Sequence, residues 1–298
     1  MLALFIGAVE WLAGWSGVLA ALRRLSPGAF AALLSGLIVS YLLRGARLYF
    51  YFHDELAGRF WPTLRLTLIH NAMVNLLPLR AGEFSFPVLA KQEFGMPPAR
   101  TLSALVWFRL LDMLLLATIA VLMAGTELAD SGGGAIAMWL LPAAGLPLLV
   151  LAMSRERLVR LSGRLSGRMA TLTMQIADGL PASHGAALRD LAITSANWAA
   201  KLAALAATFI SLVTASSWAI GVAAVAGEVS GILPVPTPAG MGAYEAVVVA
   251  AALPFGVPAT TALQAAVTLH LLIVASAMAG FAVATFLRRN ADRPAHES

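Results

Sequence analysis

Apolar runs of membrane-crossing length alternate with short polar stretches along the whole chain. A hydrocarbon core of roughly 30 Å is spanned by about 20 apolar residues in a helix. Runs of that length predict helices at about residues 2–22, 29–52, 101–124, 135–153, 189–213 and 261–287. Two further apolar stretches, 63–98 and 216–258, are interrupted near their middles, by "NLLPLRAGEFSFP" from Asn75 and "ILPVPTPAGMGAYE" from Ile232. Proline removes a backbone donor and clashes with the preceding turn, so Pro78 and Gly82 break the first stretch. Pro236, Pro238, Gly240 and Gly242 break the second. The pattern predicts an all-α polytopic membrane protein of about six full transmembrane helices plus two Pro/Gly-broken re-entrant hairpins.

Composition agrees: 60% of the 298 residues are hydrophobic and only 12% charged, far from the balance of a soluble domain. Residues 1–288 therefore read as one integral membrane domain and 289–298 as a polar tail. The formal charge of +5 does not point to nucleic acid, because the arginines lie between apolar segments rather than on a compact basic face. With no cysteine, disulfides, thiolate catalysis and cysteine zinc sites are excluded. The first apolar run follows Met1 without a basic region, which predicts an uncleaved first helix rather than a signal peptide.

Loop charge predicts the orientation. The linker 154–189 holds Arg155, Arg157, Arg160, Arg164, Arg168 and Arg189, whereas the loop 125–134 holds Glu127 and Asp130 and nothing basic. The linker and the C-terminal Arg288 and Arg289 are then cytoplasmic. Arg23 and Arg24 fall outside by the same helix count, against the rule.

"FGMPPARTLSALVWFRLLD" from Phe94 and "FGVPATTALQAAVTLHLLI" from Phe255 align without a gap, and each follows one of the broken stretches. The predicted topology runs the two following helices in opposite directions, so the halves, 1–126 and 135–288, form an inverted repeat. Broken helices in inverted repeats meet at a substrate site in many transporters.

The candidate site residues cluster at the breaks. Arg80 and Glu83 flank Gly82; Asn71 and Asn75 lie one helical turn apart, able to aim two amides at one spot; Arg109 and Asp112 are spaced to pair on one helix face. With Arg109 paired to Asp112 or Glu83, Arg80 is left for an anionic head group, which a guanidinium can grip through two hydrogen bonds. The same charges also fit a structural ion-pair scaffold. In the second break, Tyr244 and Glu245 open the returning helix, where an acid suits the helix N-terminus. The repeat sets His270 opposite Arg109. Glu10 and Lys201 are further buried-charge candidates, and Arg44 and Arg47 are expected to snorkel to the interface.

These stretches, "NLLPLRAGE" with "FGMPPARTLSALVWFRLLD" and "PTPAGMGAYEA" with "FGVP", resemble the flippase-like membrane domain of lysylphosphatidylglycerol synthases, the multiple-peptide-resistance-factor family, in a stand-alone form. The resemblance implies a bacterial inner-membrane protein that moves lipids between leaflets, with motif positions at Arg80, Glu83, Arg109, Asp112 and Glu245. Phe108 stands where an acidic residue commonly precedes the arginine, Ala239 where a glycine is usual, and Tyr244 where a basic residue is often seen, which leaves the substrate open. Nothing after residue 288 matches the family's soluble aminoacyl-transfer domain, so lysyl-lipid synthesis is not expected.

The expected function is lipid translocation, flippase- or scramblase-like, on an anionic or phosphate-bearing lipid, without cofactor or metal. A membrane-embedded transferase using Glu83, Asp112 or Glu245 as base is the alternative, as is an accessory subunit of a lipid-assembly complex; a homo-oligomer or a lipid-biosynthesis partner fits either. Against a transferase, "HGAALRD" at 184–190 misses an H-x4-D spacing by one residue, and no G-x-S-x-G, H-E-x-x-H or phosphate-cradling loop occurs.

Overall fold

A computed structural model describes residues 2–125, 154–231 and 238–291, and among these every regular element is helical. The expected helix at 135–153, the loop carrying Glu127 and Asp130, Pro236 and the tail beyond Ala291 lie outside the described residues.

The N-terminal apolar run does not form the single helix expected over 2–22. It divides into α1 (Leu2–Leu12) and α2 (Trp15–Arg24), which meet at 77°. Gly14 supplies the corner with a φ of 69° that side-chain-bearing residues rarely adopt. The Glu10 carboxylate accepts the Trp15 amide at 2.9 Å and the Trp15 indole donates to the Ile6 carbonyl at 3.1 Å, which fastens the bend. Glu10 is thus exposed in the folded chain and employed at a helix start, rather than buried as its apolar context predicted.

Three long helices follow serine caps or prolines. Ser26 accepts the Ala29 amide ahead of α3 (Pro27–Tyr51), and Ser183 accepts the Ala186 amide ahead of α10 (His184–Leu212). Pro98 opens α7 (Pro98–Gly125). Helix α13 (Ala259–Ala291) begins after Gly256, whose φ of 76° matches the 70° of Gly95 ahead of α7. Among the described residues three segments are long and apolar enough to cross a membrane: Pro27–Tyr51, Pro98–Met123 and Ala259–Leu287. The chain is a polytopic helical membrane protein.

Between α3 and α7 lie a short helix α4 (His53–Leu56), then α5 (Phe60–Leu76), a tight 3-10 turn (Pro78–Phe84) and α6 (Ser85–Phe94). The break falls at Pro78 as expected. Leu79 and Arg80 both take positive φ, 54° and 57°, a strained choice for side-chain-bearing residues. Gly82 allows the turn to lie on α5, since a Cβ there would come within 2.2 Å of the Met73 carbonyl oxygen. In the second broken stretch α11 (Ser217–Ser230) is capped by Ser216, and the described chain resumes in a turn (Pro238–Gly240) before α12 (Ala243–Ala252). Ala239, Gly240 and Gly242 carry φ of 57°, 72° and 90°.

The expected linker 154–189 is itself mostly helical: residues 154–162 form α8 and Gly167–Asp178 form α9. Met169, Leu172 and Ile176 recur at helical spacing there, and α9 docks on α7 through a hydrogen bond from Ser103 to the Ile176 carbonyl at 2.9 Å.

Helix α3 packs along α10. The two approach closely at Gly36, where a Cβ would lie 2.3 Å from that of Ala204, the small-residue contact by which membrane helices bring their backbones together. Around this pair, α5 packs on α13 and α11 on α7, so the first arm of each broken stretch rests on the long helix that closes the other. The two tips touch, the turn at Pro78–Phe84 contacting that at Pro238–Gly240.

Candidate functional site

One face of α3 carries Ser40, Arg44, Arg47 and Tyr51, spaced four, three and four residues apart, and that stripe looks inward. This corrects the expectation that Arg44 and Arg47 reach for the interface. Helix α3 runs on to Tyr51, so both arginines sit a turn or more before its end, on the face that meets α5 and α10 and from which Arg47 reaches Asp112 of α7. Arg47 is 8% exposed; it donates to Asp112 at 3.1 Å and to the Thr194 hydroxyl at 2.8 Å, with the Phe108 ring 4.4 Å from its guanidinium carbon. Arg44 donates to the side-chain oxygens of Asn71 at 3.1 Å and Asn197 at 3.4 Å. Ser40 donates to the same Asn197 oxygen at 2.7 Å.

The ion pairs read from sequence form and join into one network. Arg109 and Asp112 pair along α7 at 3.3 Å, and Arg109 also reaches Glu83 in the break at 2.8 Å. Asp112 further accepts the Trp198 indole N–H at 3.1 Å, so two carboxylates fasten the break, α3, α7 and α10 together. Arg80 is not set aside for a ligand as expected: its guanidinium donates to Glu83 at 2.7 Å, because the positive-φ turn folds it back over the residue three positions on. Removing one partner of such a buried pair typically costs about 3–5 kcal/mol, through the charge left behind. Asn71 is buried and holds Arg44, but Asn75 turns its amide to the Asn71 backbone carbonyl at 2.7 Å, so the two amides do not converge.

These groups surround a cavity of about 340 Å³. The first half contributes Arg44, Arg47, His70, Asn71, Asn75, Arg80, Arg109 and Asp112 to its wall; Trp198, Lys201 and Glu228 come from the second. Lys201 is paired to Glu228 at 2.6 Å. Sequence reading missed His70, which contacts the Ser85 hydroxyl at 2.9 Å and lies 3.7 Å from Glu83, and it missed Asn197, Trp198 and Glu228. For α3 the polar stripe was a usable signal; a lone histidine in an apolar helix gave none.

Tyr244, Glu245 and His270 are together but do not line this cavity. Glu245 caps α12 by accepting the Gly242 amide at 2.7 Å, and its other oxygen meets His270 Nδ1 at 2.7 Å. His270 Nε2 donates to the Ala239 carbonyl at 2.9 Å. Tyr244 lies against His270 with ring centroids 4.5 Å apart and fills the space beside Gly227, where a Cβ would be 2.7 Å from its ring. Among the described residues no group of three His, Asp or Glu side chains is arranged to hold a metal ion.

A family model described as the lysylphosphatidylglycerol synthase TM region matches residues 1–280. The chain belongs to that family. No curated protein and no solved structure matches it. Membership in the lysylphosphatidylglycerol synthase TM family assigns it a lipid-related role in a membrane. Phe108, Ala239 and Tyr244, which the sequence resemblance singled out, all fall in the geometry above: Phe108 faces Arg47 as an aromatic ring, Ala239 holds a left-handed backbone, and Tyr244 packs on His270.

Proposed function

We propose that this member of the lysylphosphatidylglycerol synthase TM family is a lipid translocase rather than an enzyme, moving a lipid with an anionic or phosphate-bearing head group between the leaflets of a bacterial-type inner membrane. The two broken stretches act as re-entrant hairpins of an inverted repeat, and the C-terminus faces the cytoplasm. The observation that carries this reading is the charged cavity, walled by side chains from both halves next to the touching tips. Buried charge of this density is expensive in a membrane unless it meets a polar cargo or water. Support for the repeat comes from the left-handed Gly95 and Gly256 at corresponding positions and from the exchange of arms between α5–α13 and α11–α7. The head group occupies the cavity, the tails stay in the bilayer, and movement of one half against the other exposes the site alternately.

The test is transbilayer movement of labelled phosphatidylglycerol, a zwitterionic lipid and a polyprenyl-phosphate lipid in proteoliposomes, with and without a proton gradient. Wild type is expected to move at least one anionic lipid, and Glu83→Gln to fall to the rate of protein-free vesicles while remaining folded. No movement of any lipid by folded wild type would remove the translocase reading.

A further inference from the structure

The charge balance of the cavity narrows the head group, on the basis of the translocase reading. Five basic side chains line the wall: Arg44, Arg47, Arg80, Arg109 and Lys201. Three carboxylates answer them. Glu83 and Asp112 are shared by Arg47, Arg80 and Arg109, and Glu228 takes Lys201. With His70 neutral, these described residues leave two positive charges in excess, one in the shared group and one at Arg44. Arg44 is the distinctive member: its hydrogen-bond partners are the neutral Asn71 and Asn197, the Trp198 ring lies 6.0 Å from its guanidinium carbon, and no described carboxylate approaches within ion-pair distance. Beside it Asn197, 2% exposed, holds an Nδ2 amide that has no acceptor among the described residues.

Buried cations in excess are unfavourable until a counter-charge arrives, and a guanidinium whose direct partners are neutral amides, with Asp112 and Glu228 acting on it only at longer range, keeps a demand for one. Guanidinium groups and amide donors suit phosphate oxygens. We propose that the cavity is a binding site for a dianionic phosphate, a phosphomonoester or diphosphate head group, with Arg44 as its principal cation, and that it selects against head groups carrying an added ammonium. A phosphomonoester brings about −1.5 to −2 charges at neutral pH and balances the excess. A phosphodiester balances half of it, and an aminoacylated phosphodiester places cation against cation.

The test is direct binding to the full-length chain in detergent, read by thermophoresis at low and high salt. The probes are short-chain phosphatidic acid, phosphatidylglycerol, phosphatidylcholine, lysylphosphatidylglycerol and inorganic pyrophosphate. Phosphatidic acid is expected to bind about tenfold more tightly than phosphatidylglycerol, with the zwitterionic and cationic lipids weaker still and the preference shrinking in high salt. Arg44→Gln is expected to remove that preference and Arg44→Lys to keep part of it; should Arg44→Gln fail to fold, the wild-type order decides alone. Pyrophosphate binding as tight as phosphatidic acid supports the dianion site and assigns it to a free anion; pyrophosphate about tenfold weaker assigns it to a lipid head group. Equal or tighter binding of phosphatidylglycerol or lysylphosphatidylglycerol overturns the proposal and leaves translocation standing. Preference for phosphatidic acid without movement of any lipid in vesicles overturns translocation alone.

Discussion

Each broken stretch carries one glutamate just past its bend, and the two are held in opposite ways. Glu83 is gripped by two arginines, Arg80 and Arg109, and belongs to a network that reaches four helices and borders the cavity. Glu245 is gripped by a backbone amide and by His270, away from the cavity wall. The Ala239 carbonyl only accepts, so His270 Nε2 donates to the tip's own backbone while Nδ1 meets the carboxylate. One tip therefore contributes to a charged cavity wall and the other is held by its own backbone and His270.

The sharpest way to break the first arrangement is at Asp112, which answers Arg47 and Arg109 together. Asp112→Ala leaves both arginines short of a carboxylate and is expected to cost about 3–5 kcal/mol, seen as a marked fall in detergent melting temperature. His270→Ala is expected to cost about 1–3 kcal/mol through the Glu245 oxygen it leaves without its partner. Equal losses in the two variants would erase the distinction between the tips.

At the next scale, Glu83→Gln and Glu245→Gln make the same chemical change in the two settings. The first leaves Arg80 and Arg109 one carboxylate poorer beside the cavity wall and is expected to lower translocation by about a hundredfold or more. Glutamine at 245 can still accept from Gly242 and meet His270, so translocation is expected to fall less than about threefold, with about 1 kcal/mol of stability lost. Flipping assays on the two variants check both numbers, and a Glu245→Gln as inactive as Glu83→Gln would assign the second tip a direct role.

What the sequence disclosed follows the range of each interaction. The breaks at Pro78 and Pro238 were legible because proline acts on its own turn, and Arg109–Asp112 because three residues on a helix share a face. The partnership of Arg44 with Asn197 spans 153 positions, and that of Arg47 with Asp112 spans 65. No local rule says which helix a polar stripe will meet, so nearness to the predicted helix end points the α3 arginines to the interface when read from sequence alone. The corner at Gly14 was missed for a related reason: one glycine in an apolar run is tolerated in a helix, and only the Glu10 and Trp15 contacts make it a bend.

Glycine placement offers a finer contrast. Gly82 sits where a Cβ would strike the Met73 carbonyl, so Gly82→Ala must push the first tip off α5, an expected loss of about 1–3 kcal/mol. Gly240 has open space around it and a φ of 72°, so Gly240→Ala strains only its own backbone, by about 1 kcal/mol. Thermal melts of the pair, with translocation measured alongside, separate a tip that requires contact from one that requires only a conformation.

The smallest effect is the most specific. Ala239 holds a φ of 57°, a conformation that costs a side-chain-bearing residue about 1–2 kcal/mol and a glycine almost nothing. Ala239→Gly relieves that strain but frees the unfolded chain, which offsets about 0.4–1 kcal/mol, so the expected net gain is at most about 1 kcal/mol. Its carbonyl still accepts from His270 Nε2, since the bond runs through the backbone. A small rise in melting temperature with unchanged translocation is the outcome consistent with a self-contained second tip. A rise in stability accompanied by lost translocation would mean that the strain at Ala239 is used in the transport cycle, and the second tip would then belong with the first.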